Sequence, residues 1–278
     1  MMHMQIMQST NATNATNATN ATNATNATNT TNATNTTNAT NATNATNATN
    51  ATNATNTTNA TKITNYKYIL LILNCKKYKW KADKQKSTWL PRLPSNVCYL
   101  HVIGRGKTHE ACELDLPNHV LYTNTQDDYV SLPHKVIAAL KAVNEWFEYT
   151  HIYKTDDDQI LIQPNFFARL DQTLNAAVPT LNYGGFNIRV NNHYSNYHTV
   201  HSELPQKLFL EKNVYCNGRF YFLSKAAVLH LITHELEISK RIIEDHAVGY
   251  YLGEQMKMRM CNIDTGKIFA DIERFTNL

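Results

Sequence analysis

His151-Ile152-Tyr153-Lys154-Thr155-Asp156-Asp157-Asp158 is the stretch on which the fold turns. Its first five residues are mostly β-branched or aromatic and of strand length, and they run without a break into three aspartates. In open α/β sheets ligands bind beyond the carboxyl ends of the strands, so acids at such an end are placed for chemistry. Three adjacent carboxylates repel one another unless a cation sits among them, and all-oxygen ligands favour hard ions such as Mg²⁺ or Mn²⁺. Asp156 and Asp158, two positions apart, can converge on one ion or its waters if the backbone turns after the strand. The same triplet also fits a solvated acidic turn ahead of a helix opened by Pro164.

Upstream, Tyr66–Asn74 is an aliphatic run of strand length. A Lys-rich segment with Trp80 and Trp89 follows and reads as a helix ending near Pro91. Val97–Ile103 and His119–Tyr122 read as strands. Over Pro133–Tyr149, Val136, Ile137, Leu140, Val143, Trp146 and Phe147 recur at helical spacing. Strands alternating with helices predict an α/β domain with a mostly parallel central sheet flanked by helices.

Downstream, Val214 to Ser224 reads as a strand, a turn at Gly218, a second strand and a helix capped by Ser224. Gly218 suits either a tight bend or close approach of the backbone to a ligand. Glu244-Asp245-His246-Ala247-Val248-Gly249 opens a further helix. Acids are favoured at a helix start by the dipole, and one of the pair could instead serve as general base toward an attacking hydroxyl.

Residues 11–61 are seventeen Asn-(Ala/Thr)-Thr triplets, with nothing to bury. They predict a disordered low-complexity tail over 1–63 and one folded domain over 64–278. Each triplet matches the N-glycosylation acceptor pattern, but the start of the chain carries no pattern of a secretory signal. All 26 Lys and Arg and all 22 Asp and Glu follow the repeat, giving a net charge of +4. Acids and bases are interleaved, so no nucleic-acid partner is expected. The one local excess, Lys76 to Lys86, is a solvated helix face or an attractor of a phosphorylated ligand. Five scattered cysteines without a Cys-x-x-Cys pair argue against a zinc cluster. No segment has the length of a membrane span, which leads to an expectation of a soluble, intracellular protein.

The order of these motifs resembles the β-1,3-galactosyltransferase family, with its β-1,3-N-acetylglucosaminyltransferases and the more distant Fringe enzymes. The elements are Lys86-Ser87-Thr88-Trp89, Tyr129 to Lys135, Lys154-Thr155-Asp156-Asp157-Asp158, Tyr215 to Ser224 and Glu244 to Gly249, in that order. The resemblance implies a GT-A fold and inverting transfer of galactose or N-acetylglucosamine from a UDP-sugar to a hydroxyl of a glycan or protein-linked sugar, with β-1,3 linkage. It implies Mn²⁺ or Mg²⁺ on Asp158 and Asp156, and a nucleotide-sugar site involving Asp156, Asp157, Lys86, Lys154 and Gly218. Asp245 would be the base, with Glu244 as its rival. Lys86 stands where the family has Arg and supplies a point charge, not a bidentate fork. His246 replaces a usual Val, no histidine follows it to serve as a late metal ligand, and the family's amino-terminal membrane anchor is not seen. Two other functions compete. A degenerate transferase would bind nucleotide-sugar or glycan without turnover, and a metal-dependent phosphohydrolase would release phosphate without a sugar acceptor.

Overall fold

The computed structural model describes residues 62–106 and 111–275. The tail expected over 1–63 lies outside these residues, apart from Lys62 and Ile63. Its strands are β1 Tyr68–Leu73, β2 Val97–Gly104, β3 Glu113–Asp115, β4 Val120–Thr123, β5 His151–Asp156, β6 Gln159–Leu161, β7 Tyr183–Val190, β8 His193–Ser195, β9 Leu208–Leu210, β10 Asn213–Ser224, β11 Cys261–Asn262 and β12 Phe269–Asp271. The helices are α1 Lys79–Thr88, α2 Leu132–Trp146, α3 Phe166–Ala176, α4 Lys225–Ile232, α5 Glu235–Ile238, α6 Glu244–Tyr251 and α7 Gly253–Lys257.

Eight strands form one sheet in the order β11-β7-β10-β5-β1-β2-β4-β3. Its heart, β5-β1-β2-β4, is parallel throughout, and β10 runs antiparallel to both β5 and β7. The strand period of two splits β1 cleanly between two cores. Ile69, Leu71 and Leu73 pack with Val136, Leu140 and Val143 of α2, whereas Tyr68, Leu70 and Ile72 pack with Trp89, Phe167 and Leu170. Burial on both faces is why β1 reads as an unbroken apolar run.

Ile63 forms a parallel bridge with Phe147. Its N–H donates to the Trp146 carbonyl (2.8 Å), its carbonyl accepts from the Glu148 N–H (2.9 Å), and Lys62 Nζ donates to the Asn144 carbonyl (2.7 Å). A domain drawn from residue 64 omits these contacts. A chain starting at Lys62 should therefore melt a few degrees above one starting at Thr64, since two or three hydrogen bonds at about 1 kcal/mol each are at stake. Equal melting temperatures in calorimetry would show that the Ile63 bridge adds nothing.

Candidate active site

Asp156 ends β5, and the chain turns at once into β6, whose Gln159 pairs with Asp271 of β12. This second small sheet braces the acidic turn. Asp158 Oδ1 and Asp271 Oδ1 both accept from Gln159 Nε2 (2.6 and 3.2 Å), and Arg219 Nη2 lies 2.8 Å from Asp271 Oδ1. Asp157 points another way. It pairs at 3.2 Å with Lys81 of α1, and desolvation pushes its carboxyl up to about 7 against the pull of that lysine.

Val214 to Ser224 is one strand, β10, and not two strands joined by a turn. Its pairing with β7 slips between Cys216 and Tyr221, and Gly218 sits inside that bulge. A bulge releases backbone groups from the ladder, and here both released groups of Gly218 are put to use. Its N–H donates to Asp245 Oδ2 at 2.9 Å, and its carbonyl accepts from Lys154 Nζ at 2.9 Å. A Cβ at Gly218 would stand 3.0 Å from Asp156 Oδ2 and 3.1 Å from Lys154 Nζ, so close approach, not a turn, selects glycine. Ser224 caps α4 by accepting from the Ala227 N–H at 3.2 Å, as its sequence position predicts.

Lys154 is the hub of the site. It is 2% exposed and contacts Asp156 Oδ1 (2.7 Å) and Glu244 Oε2 (2.9 Å). Glu244 is also buried, and its other oxygen accepts from the Tyr221 hydroxyl at 2.5 Å. Tyr221 faces Lys154 across the β5–β10 ladder, so one register fixes all three groups. Burial alone would depress the Lys154 ammonium, but the charges of Asp156 and Glu244 outweigh it and hold the pKa well above the ordinary lysine value.

Asp245, in the first turn of α6, keeps Oδ1 on the His246 N–H at 2.8 Å. Desolvation, then the charge of Glu244, push its carboxyl up to about 7, with Lys154 opposing. Gly249 lets this helix lie on β10, because a Cβ there would stand 2.2 Å from Tyr215 Cβ. Asp156 is pushed up to about 6, by desolvation first and by Asp158 and Glu244 next, against Lys154.

The structure thus gathers Lys154, Asp156, Gly218, Glu244 and Asp245, with Asp157 and Asp158 on the adjoining turn. Lys86 goes elsewhere: its Nζ donates to the Asn118 carbonyl at 3.2 Å, and it lies five residues, or about 7.5 Å, along α1 from Lys81. Lys81 and Arg219 are the cations that sequence reasoning missed. Lys81 was one of six lysines in a run with no periodicity to single it out. The Tyr129 to Lys135 motif proves structural at its lysine. Buried Lys135 donates to Asp127 Oδ1 (2.6 Å) and the Asn74 carbonyl (3.0 Å), and Asp127 accepts from the Gly104 and Lys76 N–H groups (2.8 Å each), tying together the ends of β1 and β2.

The profile of the galactosyltransferase family matches residues 80–263, which include Lys81, Lys154 to Asp158, Gly218, Glu244 and Asp245 but not Asp271 of β12. The chain belongs to the galactosyltransferase family. No curated protein sequence matches this galactosyltransferase-family chain. Among solved structures it is similar to the apo form of the bifunctional glycosyltransferase WbbM, with a TM-score of 0.37 and 9% identity over 71% of this chain and 39% of that one. It is also similar to the apo form of mouse xyloside xylosyltransferase 1 (TM-score 0.35, 10% identity, 72% and 85% of the two chains). A third likeness is to the inositol-1-phosphate CTP transferase of T. maritima (TM-score 0.36, 6% identity, 67% and 81%). These likenesses are distant and carry nothing about donor or acceptor.

Among the described residues no three His, Cys, Asp or Glu side chains converge into a ready-made metal cage. The carboxylates of the acidic turn still fit a hard cation of the kind that keeps waters and substrate phosphates as its remaining ligands. Asp156 and Asp158 repel each other, and each has only one oxygen engaged by a neighbouring side chain. No helix among the described residues is long and apolar enough to cross a membrane.

Proposed function

We propose that the chain is an inverting hexosyltransferase that moves galactose or N-acetylglucosamine from a UDP-sugar to a hydroxyl of a glycan or protein-linked sugar, with β-1,3 linkage. The observation that supports it most is the Gly218 bulge, which ties Asp245 to Lys154 and so sets a raised carboxylate beside the acidic turn. In this reading the acceptor oxygen bonds to the anomeric carbon of the donor, the bond from that carbon to the diphosphate oxygen breaks, and the proton of the hydroxyl passes to Asp245. One in-line displacement inverts the centre. Asp156 and Asp158 would hold Mn²⁺ or Mg²⁺, which supplies positive charge to the departing diphosphate. Lys154 holds Asp156 and Glu244 in place, and Glu244, with both oxygens engaged, positions Lys154 and does not receive the proton.

A screen of UDP-sugars with saccharide acceptors and Mn²⁺ tests the proposal. UDP should appear only when donor and acceptor are both present. Binding of donor without any transfer would instead mark a degenerate family member.

The three aspartates should also separate in a calorimetric titration of UDP with Mn²⁺. Asp158→Ala should abolish Mn²⁺-dependent binding, because it removes one of the two carboxylates proposed to hold the ion. Asp156→Ala should follow, and Asp157→Ala should be mildest because Asp157 is spent on Lys81. Equal losses in all three variants would point to a folding role.

A further inference from the structure

Asp271 of β12 lies past residue 263, where the match to the family profile ends, yet it is tied into the acidic turn. The β6–β12 ladder sets it directly opposite Gln159. Gln159 is 3% exposed, and its amide nitrogen donates to Asp158 Oδ1 at 2.6 Å and to Asp271 Oδ1 at 3.2 Å. Both amide hydrogens thus go to carboxylates. The amide oxygen, Oε1, is buried and has no hydrogen-bond partner among the described residues. A flipped amide would turn that oxygen toward two carboxylates, so the two acceptors together fix the amide plane.

Asp271 is itself held from the other side. Arg219 of β10 reaches its Oδ1 with Nη2 at 2.8 Å and donates Nη1 to the Phe269 carbonyl at 3.2 Å, a forked grip on β12 that a point charge could not make. Arg274 stands 4.0 Å from the other Asp271 oxygen, too far for a hydrogen bond. Arg219 follows Gly218 in the bulge, and its own carbonyl accepts from Thr155 Oγ1 at 2.6 Å. The dipeptide Gly218-Arg219 is therefore bonded to Asp245 and Lys154 by its first residue and to Thr155 and Asp271 by its second. The main chain adds one more tie, since the Ile272 N–H donates to the Asp158 carbonyl at 2.6 Å.

We propose that Asp271, held by Arg219, is a positioning residue for Asp158: acting through the Gln159 amide, it fixes Oδ1 of Asp158 and leaves Oδ2 for a divalent cation that carries a nucleoside diphosphate. A carboxylate already fixed by hydrogen bonds loses less freedom when it takes up an ion, and partners that orient a metal ligand typically matter about 10- to 100-fold in affinity. A purely structural pair predicts otherwise. Arg219 and Asp271 are 27% and 36% exposed, and ion pairs at such exposure add little to stability. The assignment rests on the transferase reading for the role of Asp158, but it is a claim about cation affinity and not about turnover.

Calorimetric titration of UDP with Mn²⁺ and in EDTA reads this affinity without any transfer, and the paramagnetic resonance of free Mn²⁺ reads uptake of the ion directly. In Asp271→Ala the Mn²⁺-dependent affinity should fall about tenfold or more. UDP affinity in EDTA should stay within about twofold and the melting temperature within a few degrees, because the β6–β12 ladder and the Arg219 bond to Phe269 remain. Asp271→Asn keeps an acceptor oxygen for Gln159 and should restore most of the loss. Gln159→Met, of similar length, should lose as much as Asp271→Ala, and combining the two should cost less than about twofold more, since both break one chain of contacts. Parent-like Mn²⁺ affinity in Asp271→Ala, additive losses in the double variant, or a loss that asparagine does not restore would each overturn the positioning role. A parent whose UDP binding is indifferent to Mn²⁺ would overturn it together with the metal assignment. Mn²⁺-dependent binding that follows Asp271 in a protein that transfers no sugar would sustain the positioning role and sink the transferase reading.

Discussion

Replacing Lys154 by methionine should cost about 3–5 kcal/mol of stability at neutral pH, the usual penalty for removing one partner of a buried ion pair. At roughly 2–4 °C per kcal/mol for a domain of this size, that is a fall in melting temperature on the order of 10 °C. Methionine nearly matches the lysine stem in volume, so the loss is electrostatic and not a cavity. What remains is Glu244, buried and held only by the Tyr221 hydroxyl, facing an Asp156 that has lost its nearest cation. The sign of the pH dependence follows. In the parent, the raised Lys154 pKa means its stabilisation is fully present below the ordinary lysine value and fades only when pH rises through the higher folded one. In the variant, Asp156, raised already in the parent, loses the cation that opposed the shift, so its penalty is present above its folded pKa and disappears as it takes up a proton at lower pH. The gap between parent and variant should be widest near pH 7–8 and shrink toward about pH 5, within reach of ordinary carboxylate titration. Adding Glu244→Gln should recover part of the loss, because a neutral amide replaces the stranded charge, and the double variant measures the coupling. A Lys154→Met protein that melts with the parent at neutral pH would refute the hub.

The sheet was legible because its strands carry signals that do not depend on partners. Tyr68–Leu73 and Val97–Gly104 are largely apolar runs, His151–Asp156 is of strand length and carries β-branched and aromatic residues, and α2 shows its helical spacing openly. The expected mostly parallel sheet with flanking helices is found, with the parallel pairs at its heart. What stayed hidden were features set by pairing. Nothing local to Asn217-Gly218-Arg219 separates a bulge in one long strand from a turn between two. The difference lies in β7 on one side and β5 on the other, which share β10 at different registers. The short strands β3, β6, β8, β9 and β12 have three residues each, too few to show a period. At the site, the carboxylates were visible in the sequence as clusters, but their division of labour was not. Glu244 and Asp245 are neighbours with the same chemistry. A helix start turns one inward onto Lys154 and Tyr221 and the other toward the Gly218 bulge, and only the packing of α6 on β10 decides which.

That division makes Asp245→Asn the decisive substitution for mechanism. The variant should still fold, melting a few degrees below the parent because one buried N–H loses its acceptor, and should bind UDP near-normally, while turnover falls at least ~10²-fold, the range of a lost general base. Asparagine keeps the shape and one carbonyl oxygen, so it can accept from only one of the Gly218 and His246 N–H groups, which reach separate oxygens of Asp245, and it cannot take a proton. A group that acts only in the transition state lowers kcat when removed and leaves ground-state donor affinity intact. The pH profile supplies a second readout. Desolvation first, and the adjacent Glu244 next, hold the Asp245 carboxyl at about 7, so only the deprotonated fraction works as base and parent turnover should rise as pH rises through about 7. In Asp245→Asn that limb of the profile should vanish along with the rate. Glu244→Gln should separate from it by failing differently. It removes a buried charge that balances Lys154, so its principal loss should be in stability, with residual turnover keeping a pH limb that moves below the parent's because Glu244 helps to raise Asp245. Full turnover in Asp245→Asn together with a dead but well-folded Glu244→Gln would move the base back by one residue and keep the transferase. Full activity in both, in an assay that shows transfer by the parent, would reduce the element to a helix start and remove general-base catalysis by α6.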